Sequence, residues 1–294
     1  MALTPQRATL IGLCAIVLWS TTVGLIRSIS ESLGATGGAA LIYSASALFL
    51  CLARGIPGWR HLPKSYLWLG GALFVSYEIC LAISIGLAHN RPQALELGMI
   101  NYLWPSLTLV FAIPLNQQRF RGWLWPGLVL SVAGIVWVLK GDSDWSPLLL
   151  WHNVMDNPLA YGLAFFTAIA WALYNNVTRR YARGQSGVTL FFLVTAAALW
   201  LKFFITGQPQ PMQFSAAVVM EVLFMAASTA MAYSAWNTGI QHGNMTLLTM
   251  ASWFTPVLSA LLASLWLQLT PSWSFWQGVV MVTLGSLVCW RATR

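Results

Sequence analysis

Charged residues punctuate this chain at wide intervals, and long apolar runs fill the spaces between them. Stretches free of Asp, Glu, Lys and Arg cover 8–26, 32–53, 97–118, 122–139, 157–178, 184–201 and 203–220, and a last one, 222–290, is 69 residues long. A helix needs about 20 apolar residues to cross the ~30 Å hydrocarbon core of a bilayer, so 222–290 alone holds three crossings. Continuous apolarity over such lengths indicates helices, because barrel strands alternate over ~10 residues. Turn chemistry separates the runs, as at Gly55-Ile56-Pro57-Gly58, Asn90-Arg91-Pro92, Gly141-Asp142-Ser143, Asn157-Pro158 and Thr270-Pro271-Ser272. The pattern predicts an all-α integral membrane protein with ten spans: 8–26, 36–53, 65–88, 93–115, 123–140, 158–179, 187–205, 215–241, 245–268 and 274–291. The loops leave no room for a soluble catalytic domain.

Composition agrees. Residues of the AVILMFWYC set make up 58% of the 294 positions and charged residues 7%, where a soluble domain carries about 25% charged. So few charges cannot cover a water-facing surface, and lipid is the solvent for most of the chain. The net charge of +8 raises nucleic acid as a partner. The basic residues stand singly or in small groups between apolar runs, however, and orientation in the membrane explains them better. With the N-terminus in the cytoplasm, 11 Lys and Arg fall inside, while 4 (Arg27, Arg91, Lys140 and Lys202) fall outside. Both termini are therefore predicted to be cytoplasmic. The longest connection, 141–157, lies outside, with Trp145 and Trp151 suited to the headgroup level. Arg7 followed by a stretch of full spanning length, with no small-residue cleavage site, reads as a retained first helix. Cys14, Cys51, Cys80 and Cys289 lie inside apolar runs without a CxxC, so neither a metal site nor a disulfide framework is expected.

The two halves resemble each other at a nearly constant shift. At 151 residues, Met99 falls on Met250, Pro105 on Pro256, Trp125 on Trp276, Gly127 on Gly278 and Gly134 on Gly285. At 152, Trp19 falls on Trp171 and Arg27 on Arg179; at 153, His89 falls on His242. This predicts a first repeat over 1–140, an outer linker over 141–157 and a second repeat over 158–294. Five spans per half is an odd number, so the second copy enters the membrane inverted. Inverted repeats are a hallmark of secondary transporters, whose substrates bind near the midplane between the halves.

Chemistry concentrates in spans three, four and nine. Glu78 sits near mid-membrane, where a carboxylate costs several kcal/mol unless neutral, hydrated or paired, and where such residues mark ligand or proton paths. A protonated Glu78 bonded to a neighbouring helix is the alternative. Asn101, Tyr102, Trp104 and Pro105 in span four, and Ser252, Trp253 and Pro256 in span nine, surround two prolines at matched positions. Each proline frees the carbonyl four residues back, that of Asn101 or Ser252. Each such carbonyl must meet a neighbouring helix, a water or a substrate. A packing kink and a cavity-lining gate both fit. Counting inward puts Tyr77, Glu78, Asn101 and Tyr102 at one depth. Glu96 and Glu221 lie near helix N-termini, where the dipole favours negative charge. The deeper tryptophans Trp19, Trp104, Trp171, Trp236 and Trp253, with Tyr43, Tyr77 and Tyr102, suit either core packing or an aromatic pocket.

No HExxH, GxSxG, P-loop or GxGxxG occurs, so no catalytic residues and no cofactor are expected, and any transport is gradient-driven. The two inverted halves, with Asn101-Tyr102-Leu103-Trp104-Pro105 and Trp253-Phe254-Thr255-Pro256-Val257, resemble the drug/metabolite transporter superfamily, EamA type. The stretches at Ser76–Cys80, Ala235–Asn244 and Ser274–Gly278 are similar to a bacterial branch that exports aromatic amino acids. That resemblance implies an inner-membrane exporter of aromatic and other neutral amino acids, with a central cavity between the halves.

The candidate substrate site is Tyr77, Glu78, Asn101, Tyr102, Trp104, Trp171, Trp236, Asn237, Ser252 and Trp253, with Pro105 and Pro256 as gating kinks. A multidrug exporter, told apart by drug resistance without amino-acid flux, and a passive channel, told apart by the absence of saturation, are the alternatives. An intramembrane enzyme would need paired catalytic residues at one depth, and none are found. Partners are the amino acid and membrane lipid. A monomer fits, with close helix contact at Gly34-x-x-x-Gly38 arising within one chain or between two.

Overall fold

A computed structural model describes residues 4–55, 58–142, 146–207, 211–243, 248 and 251–292, and they form an all-helical bundle. The first helices are α1 (Pro5–Ser20), α2 (Thr22–Leu33), α3 (Ala35–Arg54) and α4 (Gly71–Gly86), the last entered through a π-helical turn, Tyr66–Gly70. Next come α5 (Arg91–Asn101), α6 (Trp104–Asn116), α7 (Leu124–Lys140) and α8 (Pro147–Asp156). They are followed by α9 (Pro158–Tyr181), α10 (Val188–Thr206), α11 (Ala216–His242), α12 (Thr255–Trp266) and α13 (Trp273–Ala292). Seven stretches are long and apolar enough to cross a membrane: Pro5–Leu33, Ala35–Ala53, Tyr66–Gly86, Arg91–Asn116, Val188–Thr206, Ala216–Trp236 and Trp273–Ala292. Leu124–Lys140 and Thr255–Trp266 are apolar but shorter.

α9 has 24 residues, about 36 Å of rise and ample length to cross, yet it is not among the apolar seven. Its Thr167 and Asn176 face protein. Asn176 donates to the carbonyls of Thr108 and Ala172, both at 2.9 Å, and accepts from Asn116 at 2.6 Å. α9 packs against α4, α5 and α6.

The turn residues act as helix caps. Asn90 Oδ1 accepts from Gln93 N at 2.8 Å ahead of α5, and Asn157 Oδ1 from Ala160 N at 3.4 Å ahead of α9. Each is followed by a proline in the first turn, where a missing N–H costs nothing. The same rule corrects the expected kinks. Span four does not bend at Pro105 but breaks: α5 stops at Asn101, and Tyr102 N and Leu103 N reach back to Met99 O and Ile100 O at 3.0 and 3.1 Å. α6 restarts with Pro105 in its first turn, and α12 likewise begins with Pro256. The carbonyl of Ser252 is taken by its own helix, accepting from Thr255 Oγ1 at 2.7 Å. The stretch expected as a loop over 141–157 contains α8, whose Leu148 and Trp151 are exposed.

Helix pairs recur across the chain. α1 packs on α11 and α4 on α9; α3 packs on α10; α7 packs on α13. The α7–α13 pair is the closest fitted. A Cβ added at Gly134 would lie 2.8 Å from Gly278 O, and one at Gly127 would lie 2.8 Å from Gly285 O. The pairing of 127 with 285 and 134 with 278 makes the two helices antiparallel, and bare backbone is what lets them meet. Gly34 has φ +73° and turns the chain from α2 into α3, and a Cβ at Gly38 would meet Ile29 at 3.1 Å. The Gly34–Gly38 contact is therefore internal.

Gly134→Leu or Gly278→Leu forces side chain into backbone and costs about 1–3 kcal/mol or more. A lower thermal unfolding midpoint of the detergent-solubilised protein is expected for both. Gly162→Leu, where an added Cβ meets nothing within 4 Å, leaves the midpoint in place.

Candidate functional site

Glu78 lies halfway along α4 and is 6% exposed. Its carboxyl oxygens are each held by a tyrosine: Tyr43 on α3 donates to Oε2 at 2.8 Å, and Tyr233 on α11 donates to Oε1 at 2.9 Å. A carboxyl group in hydrocarbon must be supplied with donors by the protein, and these two hydroxyls do so. No salt bridge to Glu78 is present among the described residues.

Aromatic rings surround this group. Trp171 on α9 lies 4.5 Å from Tyr77 and stacks on Tyr174 at 5.0 Å, centroid to centroid. Trp104 meets Trp171 edge-on at 6.5 Å. Phe74, one turn before Glu78, touches Trp171, Tyr174, Phe192 and Tyr233 at 5.3–6.1 Å. Trp19 on α1 joins Tyr233 at 5.3 Å to Trp236 at 5.4 Å. Asn101 ends α5 within reach of Tyr77 and accepts from Thr167 Oγ1 at 3.0 Å. The arrangement offers an acceptor, an amide and flat apolar faces together, which suits an amphipathic molecule with an aromatic side chain.

Of the sequence-predicted residues, Tyr77, Glu78, Asn101, Trp104 and Trp171 are brought together, with Trp236 linked through Trp19. Tyr102 is buried beside them. Trp253 is buried, and its indole N–H has no partner among the described residues. Ser252 is half-buried, its carbonyl engaged as above. The side chain of Asn237 lies outside the described residues, as does that of His242. Tyr233, Phe74 and Thr167 were not anticipated. Tyr233 stands three residues before Trp236, a helical neighbour of a predicted residue, and that spacing was the available signal.

Two cavities lie elsewhere. One of about 380 Å³ and one of about 250 Å³ both include Pro92 and Glu96, at the end of the bundle where α8 lies, and neither reaches Glu78. At the centre the rings pack on one another. Glu96 does not cap α5 but accepts from Tyr161 Oη at 2.5 Å. Glu221 accepts from Ser28 Oγ at 2.9 Å, and His89 pairs with Asp156 at 2.8 Å. Nearby, Arg91 clasps Glu31 through Nε at 3.0 Å and Nη2 at 2.8 Å, and Arg27 joins the same carboxylate at 3.0 Å. Among the described residues no group of three His, Cys, Asp or Glu side chains is placed to hold a metal.

A multi-pass helical bundle with a buried carboxyl ringed by aromatics at its centre, and no metal cluster among its described residues, is the architecture of a membrane transporter. Residues 158–291 match the EamA-like transporter family. The chain is 54% identical over 292 residues, 99% of both chains, to "Aromatic amino acid exporter YddG" of Salmonella typhimurium, and 53% identical, over the same share, to the protein of that name in Escherichia coli K12. A third protein so named, from Ancylobacter novellus, is 28% identical over 87% of each chain. One solved crystal structure shares the fold, with a TM-score of 0.64 and 24% identity over 97% of this chain and 99% of that one. The chain belongs to the EamA-like transporter family, and it is a multi-pass protein of the bacterial inner membrane.

Tyr43→Phe and Tyr233→Phe each remove one donor from Glu78 and lower stability by about 1–2 kcal/mol. The double variant, which leaves a buried carboxyl bare, is expected to lose more than the two losses added together. Unfolding titrations in mixed detergent micelles measure this, and strict additivity would mean the tyrosines act independently.

Proposed function

We propose that this chain is a secondary transporter that exports aromatic and other neutral amino acids across the inner membrane by alternating access. The observation that carries this reading is the 54% identity, over 99% of both chains, to a protein named as an aromatic amino acid exporter. The activity is transport without catalysis, cofactor or metal. Its partners are the amino acid and the surrounding lipid, with no nucleic acid and with one chain as the working unit.

Its ten spans form two inverted halves, 1–140 and 158–294, with both termini in the cytoplasm. Several facts support that arrangement. The family match covers 158–291 and begins where the second half begins. The α1–α11 and α9–α4 pairings exchange when the halves are exchanged, and α3–α10 and α7–α13 map onto themselves. The antiparallel glycine contacts of α7 and α13, Gly127 on Gly285 and Gly134 on Gly278, exchange with each other when each glycine is replaced by its mate at the 151-residue shift. The excess of Lys and Arg on one side supports the orientation.

In this reading the substrate displaces the tyrosine contacts of Glu78 with its ammonium group and slides its ring into the stack of Tyr77, Trp171 and Trp104. Asn101 takes part of the substrate's polar end. Trp236, Ser252, Trp253 and Tyr102 complete the site, and Asn237 belongs to it by its sequence position next to Trp236. The breaks ahead of Pro105 and Pro256 let the outer and inner halves of spans four and nine swing separately, since no continuous helical ladder joins them.

The test is efflux of labelled phenylalanine from proteoliposomes, with unlabelled amino acids as competitors and with and without a pH gradient. Glu78→Gln, Asn101→Ala and Trp171→Ala are each expected to lower the initial rate at least tenfold at equal reconstituted protein. Unchanged rates in all three would remove the site assignment, and absence of saturable flux in the native protein would remove the function.

A further inference from the structure

Glu96 plays no part in the central site, yet it borders two cavities at the end of the bundle where α8 lies. The larger, of about 380 Å³, falls within the roughly 300–1,000 Å³ usual for small-molecule pockets. It lies between α5, α8 and the start of α9, and most of the residues that line it carry polar groups. Asn90, Gln93, Glu96, His152, Asp156 and Tyr161 all face it, and no Lys or Arg does. The one arginine close in sequence, Arg91, is turned away, with Nε and Nη2 on Glu31 and Nη1 on Leu267 O at 2.9 Å.

The wall is built, not incidental. Gln93 and Tyr161 are both more than nine-tenths buried. Asn157 Nδ2 donates to Gln93 Oε1 at 2.9 Å, and the backbone N–H of His89 donates to the same oxygen at 2.7 Å. With its oxygen so occupied, the Gln93 amide bonds to Tyr161, whose hydroxyl donates to Glu96 Oε2. This relay fixes Glu96, which lines both of these cavities, as an acceptor. A preset acceptor with no cation beside it is a receptor for a positively charged donor group. Glu96 is five residues before Asn101 on the same helix, about 7.5 Å of rise, so the cavity adjoins the central site.

We propose that this cavity is a second substrate station, a vestibule at the α8 face in which Glu96 takes the ammonium group of a neutral amino acid. It rests on the amino-acid export proposed above. With no Lys or Arg on the wall, Glu96 and Asp156, the latter paired with His89, disfavour a net negative ligand, so the station passes zwitterions and refuses acidic or N-acylated amino acids. The neutral amide groups of the wall receive the zwitterion's carboxylate.

The experiment uses the full chain carrying Asn153→Cys, a position on the cavity wall, reconstituted in liposomes. A membrane-impermeant cationic thiol reagent is applied from the α8 face, and labelled phenylalanine flux is measured in the same vesicles. Phenylalanine is expected to slow modification of Cys at 153, whereas N-acetylphenylalanine and glutamate are not. Adding Glu96→Gln raises the half-protecting concentration of phenylalanine about tenfold, and Glu96→Asp, which keeps the charge and covers a failure of the Gln variant to fold, raises it less. Adding Trp171→Ala to the native vestibule cuts flux and preserves protection, which separates this station from the centre. Flux without protection, equal protection by N-acetylphenylalanine, or an unchanged half-protecting concentration in Glu96→Gln overturns the vestibule alone. Absence of flux in the chain with an intact centre overturns the exporter reading and the vestibule with it.

Discussion

A carboxyl group in the middle of a lipid bilayer has no solvent to turn to, and the centre of this protein is organised around supplying one with partners. Glu78 draws its two hydrogen bonds from α3 and α11, helices more than 150 residues apart in the chain. Those bonds require α3, α4 and α11 to converge at one depth. The convergence packs Phe74, Phe192 and Tyr233 against one another and brings Trp171 over Tyr77. The same contact that satisfies the carboxyl thus builds the aromatic shell and joins the early and late parts of the chain.

The seam between α7 and α13 is its counterpart at the edge of the bundle. There the constraint is steric, since four glycines let two backbones touch. The breaks at Tyr102–Leu103 and Trp253–Phe254 belong to neither of these contacts. Each break sets a proline where its ring starts a helix, so the interruption adds little strain.

Much of this was legible in the chain because lipid imposes strict rules. Runs of apolar residues between Asn90-Arg91-Pro92 and Asn157-Pro158 translate directly into capped helices. Glu78 was conspicuous because a carboxylate at that depth demands an explanation. Three features escaped. The prolines were read as kinks because a mid-run proline is ambiguous between bending a helix and beginning one. Only the hydrogen bonds of Tyr102 and Leu103 to Met99 and Ile100 decide it. Tyr233 and Thr167 escaped because an isolated hydroxyl in an apolar run carries no signal of its own; its importance comes from which side chain the fold sets opposite it. α8 was missed since ten residues fall short of the length of a span.

The polar stripe of α9 has a consequence for how the protein is made. Asn176 depends on Asn116 and on the carbonyl of Thr108, and both belong to α6. Synthesis from the N-terminus delivers α4, α5 and α6 to the membrane before α9 emerges. The helix least suited to enter lipid by itself therefore arrives when its companions are already in place, and its insertion is an act of assembly with them. The order of the helices along the chain is in this sense part of the folding route, and a rearrangement that moved α9 ahead of α6 would leave its asparagines to face hydrocarbon alone.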